Sequence, residues 1–95
     1  MYNVNEIRTI VNNIAPALPI SKVTLIGSYA KNEATEQSDI DLVVDGRDLS
    51  DAYWDFLFKL EDAFSIKIDL LTARGLKDSC LRDNFLKGGI VIYEA

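Results

Sequence analysis

The stretch Asp39-Ile-Asp-Leu-Val-Val44 constrains the fold more than any other part of the chain. It reads as a β-strand, because branched aliphatic residues dominate it and Asp45-Gly46 breaks it. Side chains two apart in a strand leave the same face, so Asp39 and Asp41 stand together and Ile40 and Leu42 stand opposite. Two carboxylates held in parallel repel each other unless cations lie between them. The strand therefore implies a sheet with one face buried and another given over to charge.

The rest of the chain supplies that sheet and its cover. Val4, Ile7, Ile10, Val11 and Ile14 recur at helical spacing and form one apolar face, brought to a stop by Pro16 and Pro19. Lys22–Ile26 reads as a short strand ended by Gly27, and a polar loop from about Asn32 to Ser38 leads to the strand at Asp39–Val44. Asp45, Asp48 and Asp51 suit turns and a helix start, and Ser50 is expected to cap a helix running to about Phe64. A third strand is predicted at Ile66–Leu71, a short helix around Asp78–Lys87 with Gly88-Gly89 as its stop, and a last strand at Ile90–Tyr93. Interleaved helices and strands in 95 residues predict one α/β (α+β) domain over residues 1–95, a small mixed sheet with helices mainly on one face.

The third strand offers another carboxylate. Ile66, Ile68 and Leu70 alternate with Lys67, Asp69 and Leu71, so Asp69 faces away from the isoleucines. Where that strand lies beside the second, Asp69 joins Asp39 and Asp41 on one surface. Oxygen-only ligands of this kind suit Mg²⁺, which keeps several waters and takes further ligands from phosphates. Three carboxylates at one edge are what a two-metal phosphoryl or nucleotidyl transfer needs. Gly27-Ser28 follows a strand and opens a helical turn, which turns backbone N–H groups towards an anion, and the Ser28 hydroxyl can add a donor.

Composition removes the main competitors. The chain has no histidine, which excludes His-based acid–base catalysis and His-ligated zinc. The single cysteine, Cys80, forms neither an internal disulfide nor a thiolate cluster, and its place in the short helix suits a small buried side chain. A net charge of −5 argues against a duplex-binding module, whose affinity rests on Lys and Arg meeting phosphates. No apolar run approaches the roughly 18–20 residues of a membrane span, and the N-terminus lacks the regions of a signal peptide. A cytoplasmic protein with no membrane and no direct nucleic-acid partner is expected.

Gly27-Ser28, a spacer, and Ser38-Asp39-Ile-Asp41-Leu resemble the signature of the polymerase-beta-type nucleotidyltransferase superfamily, with Asp69 in the place of its third carboxylate. The short chain and Gly27-Ser-Tyr-Ala-Lys-Asn-Glu-Ala34 are similar to the minimal nucleotidyltransferase (MNT) branch, whose usual form is Gly-Ser-Arg-Ala-Arg-Gly-Glu-Ala. The resemblance implies two Mg²⁺ ions on Asp39, Asp41 and Asp69 as metal-binding and catalytic residues, and ATP as substrate held by Gly27, Ser28 and Lys31. It also implies a partner, since proteins of this branch are commonly antitoxins of HEPN-type ribonuclease toxins, and some transfer AMP to a toxin tyrosine. A hetero-oligomer is expected on the same ground. Tyr29, Lys31 and Asn32 depart from the pattern. Lys31 keeps the charge of the usual Arg without its bidentate fork, and Asn32 tolerates the left-handed backbone of the usual Gly.

Two other functions compete with AMP transfer to a protein: neutralising a toxin by binding alone, and modifying a small-molecule hydroxyl. Small-molecule enzymes with this motif generally add a domain for the acceptor, and no material for one follows the last strand before Ala95. The segment Tyr53–Leu60 leaves a second question open. Tyr53, Leu57, Leu60 and Phe64 form a core stripe flanked by Phe56 and Ala63 on one side and by Trp54 and Phe58 on the other. Such a wide apolar arc fits either a helix sunk between sheet and neighbouring helix, or one that exposes Trp54 and Phe58 to a partner.

Overall fold

The computed structural model describes residues 2–75 and 87–95. Among them, three helices and four strands follow the order α1 (Val4–Ile14), β1 (Lys22–Ile26), α2 (Gly27–Ala30), β2 (Ile40–Asp45), α3 (Ser50–Ala63), β3 (Ile68–Thr72) and β4 (Ile90–Glu94). The strands make one mixed sheet in the order β3-β2-β1-β4, as the interleaved pattern implies. β1 runs antiparallel to both neighbours, while β2 and β3 are parallel. A parallel pair requires a crossover connection, and α3 provides it.

Helix α1 starts with a capping box. The Asn3 side chain accepts from the Glu6 N–H at 2.8 Å, and the Glu6 carboxylate accepts from the Asn3 N–H at 3.0 Å. Its predicted stripe faces inward, with Ile7 and Val11 fully buried and Val4, Ile10 and Ile14 packed at the margin. Pro16 is the second residue of the short 3₁₀ turn Ala15–Ala17 that follows the helix. Helix α3 packs beside α1, sending Phe56, Leu60 and Phe64 into the same core as Val23, Leu25, Ile40, Leu42, Ile68 and Leu70. Burying each such side chain stabilises the fold by roughly 1.5–3 kcal/mol. The helices thus cover one sheet face, and every second residue of β2 and β3 is left on the other.

Several expectations need correction. β2 begins at Ile40 rather than Asp39, and β3 begins at Ile68 rather than Ile66. The Lys67 carbonyl accepts from the Ile40 N–H at 3.1 Å, so pairing of the two strands opens there. Ser50 does not cap α3. Leu49 holds the cap position without a side-chain bond, and the Ser50 hydroxyl donates to Asp48 at 3.0 Å instead. The centre of the α3 stripe lies at Phe56 and Leu60, with Tyr53 and Leu57 only partly buried. Trp54 is 56% exposed and Phe58 62% exposed, so α3 is not sunk between two layers along that side. The short helix expected around Asp78–Lys87, and Cys80 within it, lie outside the described residues apart from Lys87, which sits in a turn.

Candidate active site

Asp41 and Asp69 meet because of strand register. In the parallel β2–β3 pair the residues stand level, Ile40 with Ile68, Asp41 with Asp69 and Leu42 with Leu70. Level partners in a sheet share a face. The isoleucines and leucines turn to the helices, and both carboxylates turn the other way. Asp39 sits one residue before β2, half-buried, and acts on Asp41 through its charge.

The neighbourhood of Asp41 is crowded. Burial pushes its carboxyl up to about 6, helped by a hydrogen bond with Asp69, the charge of Asp69 and the charge of Asp39. Lys67 acts against the rise, from a position 3.8 Å from Asp69 on the exposed end of the same strand face. Gly27, the first residue of α2 after β1, presses on Asp41. It takes φ +74, a left-handed conformation, and a Cβ there would collide with the Asp41 carboxylate. The pairing of Ile26 with Asp41 across β1 and β2 brings this glycine alongside. Gly27 is thus needed both for its backbone angle and for its missing side chain.

The turn after Gly27 closes on itself. The Lys31 N–H donates to the Gly27 carbonyl at 3.2 Å, and the Glu33 N–H donates to the Ser28 carbonyl at 2.8 Å. Asn32 has φ +58, the left-handed geometry expected of a residue standing in for glycine. Tyr29 is buried in the core, which leaves Lys31 as the cation of this turn.

Gly27, Lys31, Asp41 and Asp69 line one cleft of about 640 Å³. Tyr53, Leu57 and Leu71 form apolar wall, and Lys87 contributes a second cation. Of the residues expected at the site, Asp39 and Ser28 stand beside this cleft rather than lining it. Lys67, Lys87 and Tyr53 were not assigned from sequence. For Lys67 a signal was present, since it lies two residues before Asp69 and hence on its face. The helical spacing places Tyr53 on the core stripe. Its ring is only half-buried, and its hydroxyl donates to the Leu70 carbonyl at 2.6 Å on the edge strand.

The donor set suits a hard divalent cation. Among the described residues no three Asp, Glu or Cys side chains are gathered closely enough to hold a metal ion together, so Asp39 does not close a triad with Asp41 and Asp69. Two carboxylates in contact, with a third acting on them through charge, match an ion that keeps waters and shares ligands with phosphates. Such a cation would offset the burial and repulsion that hold the Asp41 carboxyl above its usual range.

Comparison with known proteins agrees with this geometry. The polymerase beta nucleotidyltransferase family model matches residues 5–95. A predicted protein adenylyltransferase of Methanocaldococcus jannaschii is 34% identical over 90 residues, spanning 86% of this chain and 90% of the relative. The solved structure of a minimal nucleotidyltransferase is 28% identical with a TM-score of 0.75, covering 94% of this chain and 95% of its own. A chain of a toxin–antitoxin complex with AMP-PNP is 25% identical with a TM-score of 0.71, covering 99% and 75%. A chain from the complex of a tri-AMPylated Shewanella oneidensis HEPN toxin with its MNT antitoxin shares the fold at 24% identity, with a TM-score of 0.61 and coverage of 98% and 71%. The chain belongs to the polymerase-beta-type nucleotidyltransferases, in their minimal branch.

Proposed function

We propose that this nucleotidyltransferase is a Mg²⁺-dependent protein adenylyltransferase that moves AMP from ATP to a tyrosine hydroxyl of a HEPN-type toxin, and so acts as its antitoxin. The observation that carries this reading is the level pairing of Asp41 with Asp69 beside Gly27, in a cleft that also holds Lys31. Support comes from the adenylyltransferase relative and from the likeness to a toxin–antitoxin complex with AMP-PNP.

Asp39, Asp41 and Asp69 would hold two Mg²⁺ ions, whose charge stabilises the phosphates and the departing pyrophosphate. The chain's own groups do the rest. The Gly27-Ser28 turn and the Lys31 ammonium bind and orient the distal phosphates. The acceptor oxygen forms a bond to the α-phosphorus as the bond to the bridging α–β oxygen breaks, and pyrophosphate leaves with the electron pair. Asp69 takes the acceptor proton. The cleft's apolar wall of Tyr53, Leu57 and Leu71 limits water as a rival acceptor. No histidine is needed, which fits a chain that has none. A compact cytoplasmic pair of antitoxin and toxin follows, and among the described residues no helix is long and apolar enough to cross a membrane.

The test is label transfer from α-labelled ATP, with Mg²⁺, into a co-expressed HEPN-type partner, with Asp39→Ala, Asp41→Ala protein as control. Label on a partner tyrosine with wild type alone is the expected result. Absence of label with all four NTPs, while the complex still forms, would overturn transfer in favour of neutralisation by binding.

A further inference from the structure

Helix α3 carries a feature that AMP transfer does not use. Trp54 and Phe58 lie one turn apart on its outer side, both exposed, with ring centres 6.3 Å apart. The Tyr53 ring meets Trp54 edge-on at 5.0 Å and extends the aromatic surface inward. Single exposed aromatics are ordinary, but a contiguous pair marks a contact surface. The charges along this helix are mainly negative. Asp51 lies a turn before Trp54, Asp55 a turn before Phe58, and Glu61 and Asp62 a turn after it. The one base on the helix, Lys59, pairs with Asp55 at 3.3 Å.

We infer that the α3 ridge of Trp54 and Phe58 is the docking surface for the protein acceptor, and that it receives a basic apolar surface of that partner. The charge pattern selects the occupant. Aromatic faces ringed by carboxylates suit arginine, which stacks on the rings and pairs with the acids at once. A second copy of this chain would bring the same acids and a net charge of −5, so self-association is opposed. Nucleic acid and anionic lipid are repelled for the same reason. Position adds the functional link. Tyr53 touches Trp54 and also lines the cleft that holds Asp41 and Asp69. A partner seated on the ridge therefore stands at the mouth of the cleft, where its hydroxyl can reach the α-phosphate. This inference rests on the proposed transfer to a protein.

The experiment uses the full chain and a co-expressed HEPN-type protein. Binding is measured by calorimetry, and transfer by label from α-labelled ATP, for wild type, for Trp54→Ala with Phe58→Ala, and for Asp51→Lys with Asp62→Lys. The aromatic variant is expected to melt like wild type and to bind ATP equally well. It should bind the partner at least tenfold more weakly and raise the KM for partner with little change in kcat. The charge variant should weaken binding at low salt and converge on wild type at high salt. Partner binding within twofold of wild type by both variants would overturn the ridge while leaving the transferase reading intact. A wild type that binds no HEPN-type protein would overturn the partner assignment, and the ridge's role with it.

Discussion

On the helix-covered face of the sheet, Ile40, Leu42, Ile68 and Leu70 are buried against α1 and α3. One residue along the same two strands, Asp41 and Asp69 face each other with the Gly27 turn pressed against them. The backbone hydrogen bonds are shared, yet the two faces have opposite energetic character. The helix-side face gains by removing apolar area from water. The carboxylate face gathers like charges in a half-buried place, which opposes folding until a cation arrives. The difference teaches that a period of two lets one sheet separate stability from chemistry, so that changes on one face need not damage the other.

The sharpest break of that comparison is Asp41→Asn. It should lower AMP transfer by about a thousandfold or more, since a ligand to the phosphate-neutralising metals is lost. Without metal its melting temperature should equal or exceed that of wild type, because the repulsion with Asp69 and Asp39 goes. A variant that lost both activity and stability would show that the faces are not separable. Next in size, Phe56→Ala on the covered side should cost about 3–5 kcal/mol by denaturant unfolding. Material that remains folded should still bind ATP.

Gly27→Ala joins the two faces and should harm both. The left-handed backbone at this residue costs an alanine about 1–2 kcal/mol, and the new Cβ displaces the Asp41 carboxylate. Unfolding measurements should show that loss, and metal titration should show weakened Mg²⁺ affinity. The smallest effect is in pH. The Asp41 carboxyl titrates near 6 when folded and near 3.8 when unfolded, so the folded chain holds the proton more tightly. Its contribution to stability is complete below about pH 4 and is lost as pH rises through about 6. For a half-exposed group the loss is about 1 kcal/mol after allowance for solvent screening. In metal-free buffer the stability of wild type should therefore fall from pH 4 to 6 relative to Asp41→Asn. Saturating Mg²⁺ should reverse that slope, because the ion binds the ionised form.

Whatever depends on neighbours along the chain was legible before the structure. The α1 stripe, the strand at Lys22–Ile26 and the turn that Gly27 opens follow from local spacing, while the left-handed Asn32 follows from the resemblance that has Gly in its place. The same alternation turns Asp69 away from its isoleucines; it also places Asp39 in the strand with Asp41, whereas β2 starts one residue later, at Ile40. Three things required the tertiary structure. The register that sets Asp41 level with Asp69 joins residues 28 apart in sequence, and it is fixed by pairing between segments, with α3 packed on β3, rather than by either segment alone. The exposure of Trp54 and Phe58 was undecided, because a wide apolar arc shows how much of a helix is greasy but not which part the sheet covers. Ser50 failed as a cap because its hydroxyl turns to Asp48, a choice made by the path of the chain into α3. Periodicity is a property of one segment, whereas register and burial belong to pairs of segments, and only their packing decides them.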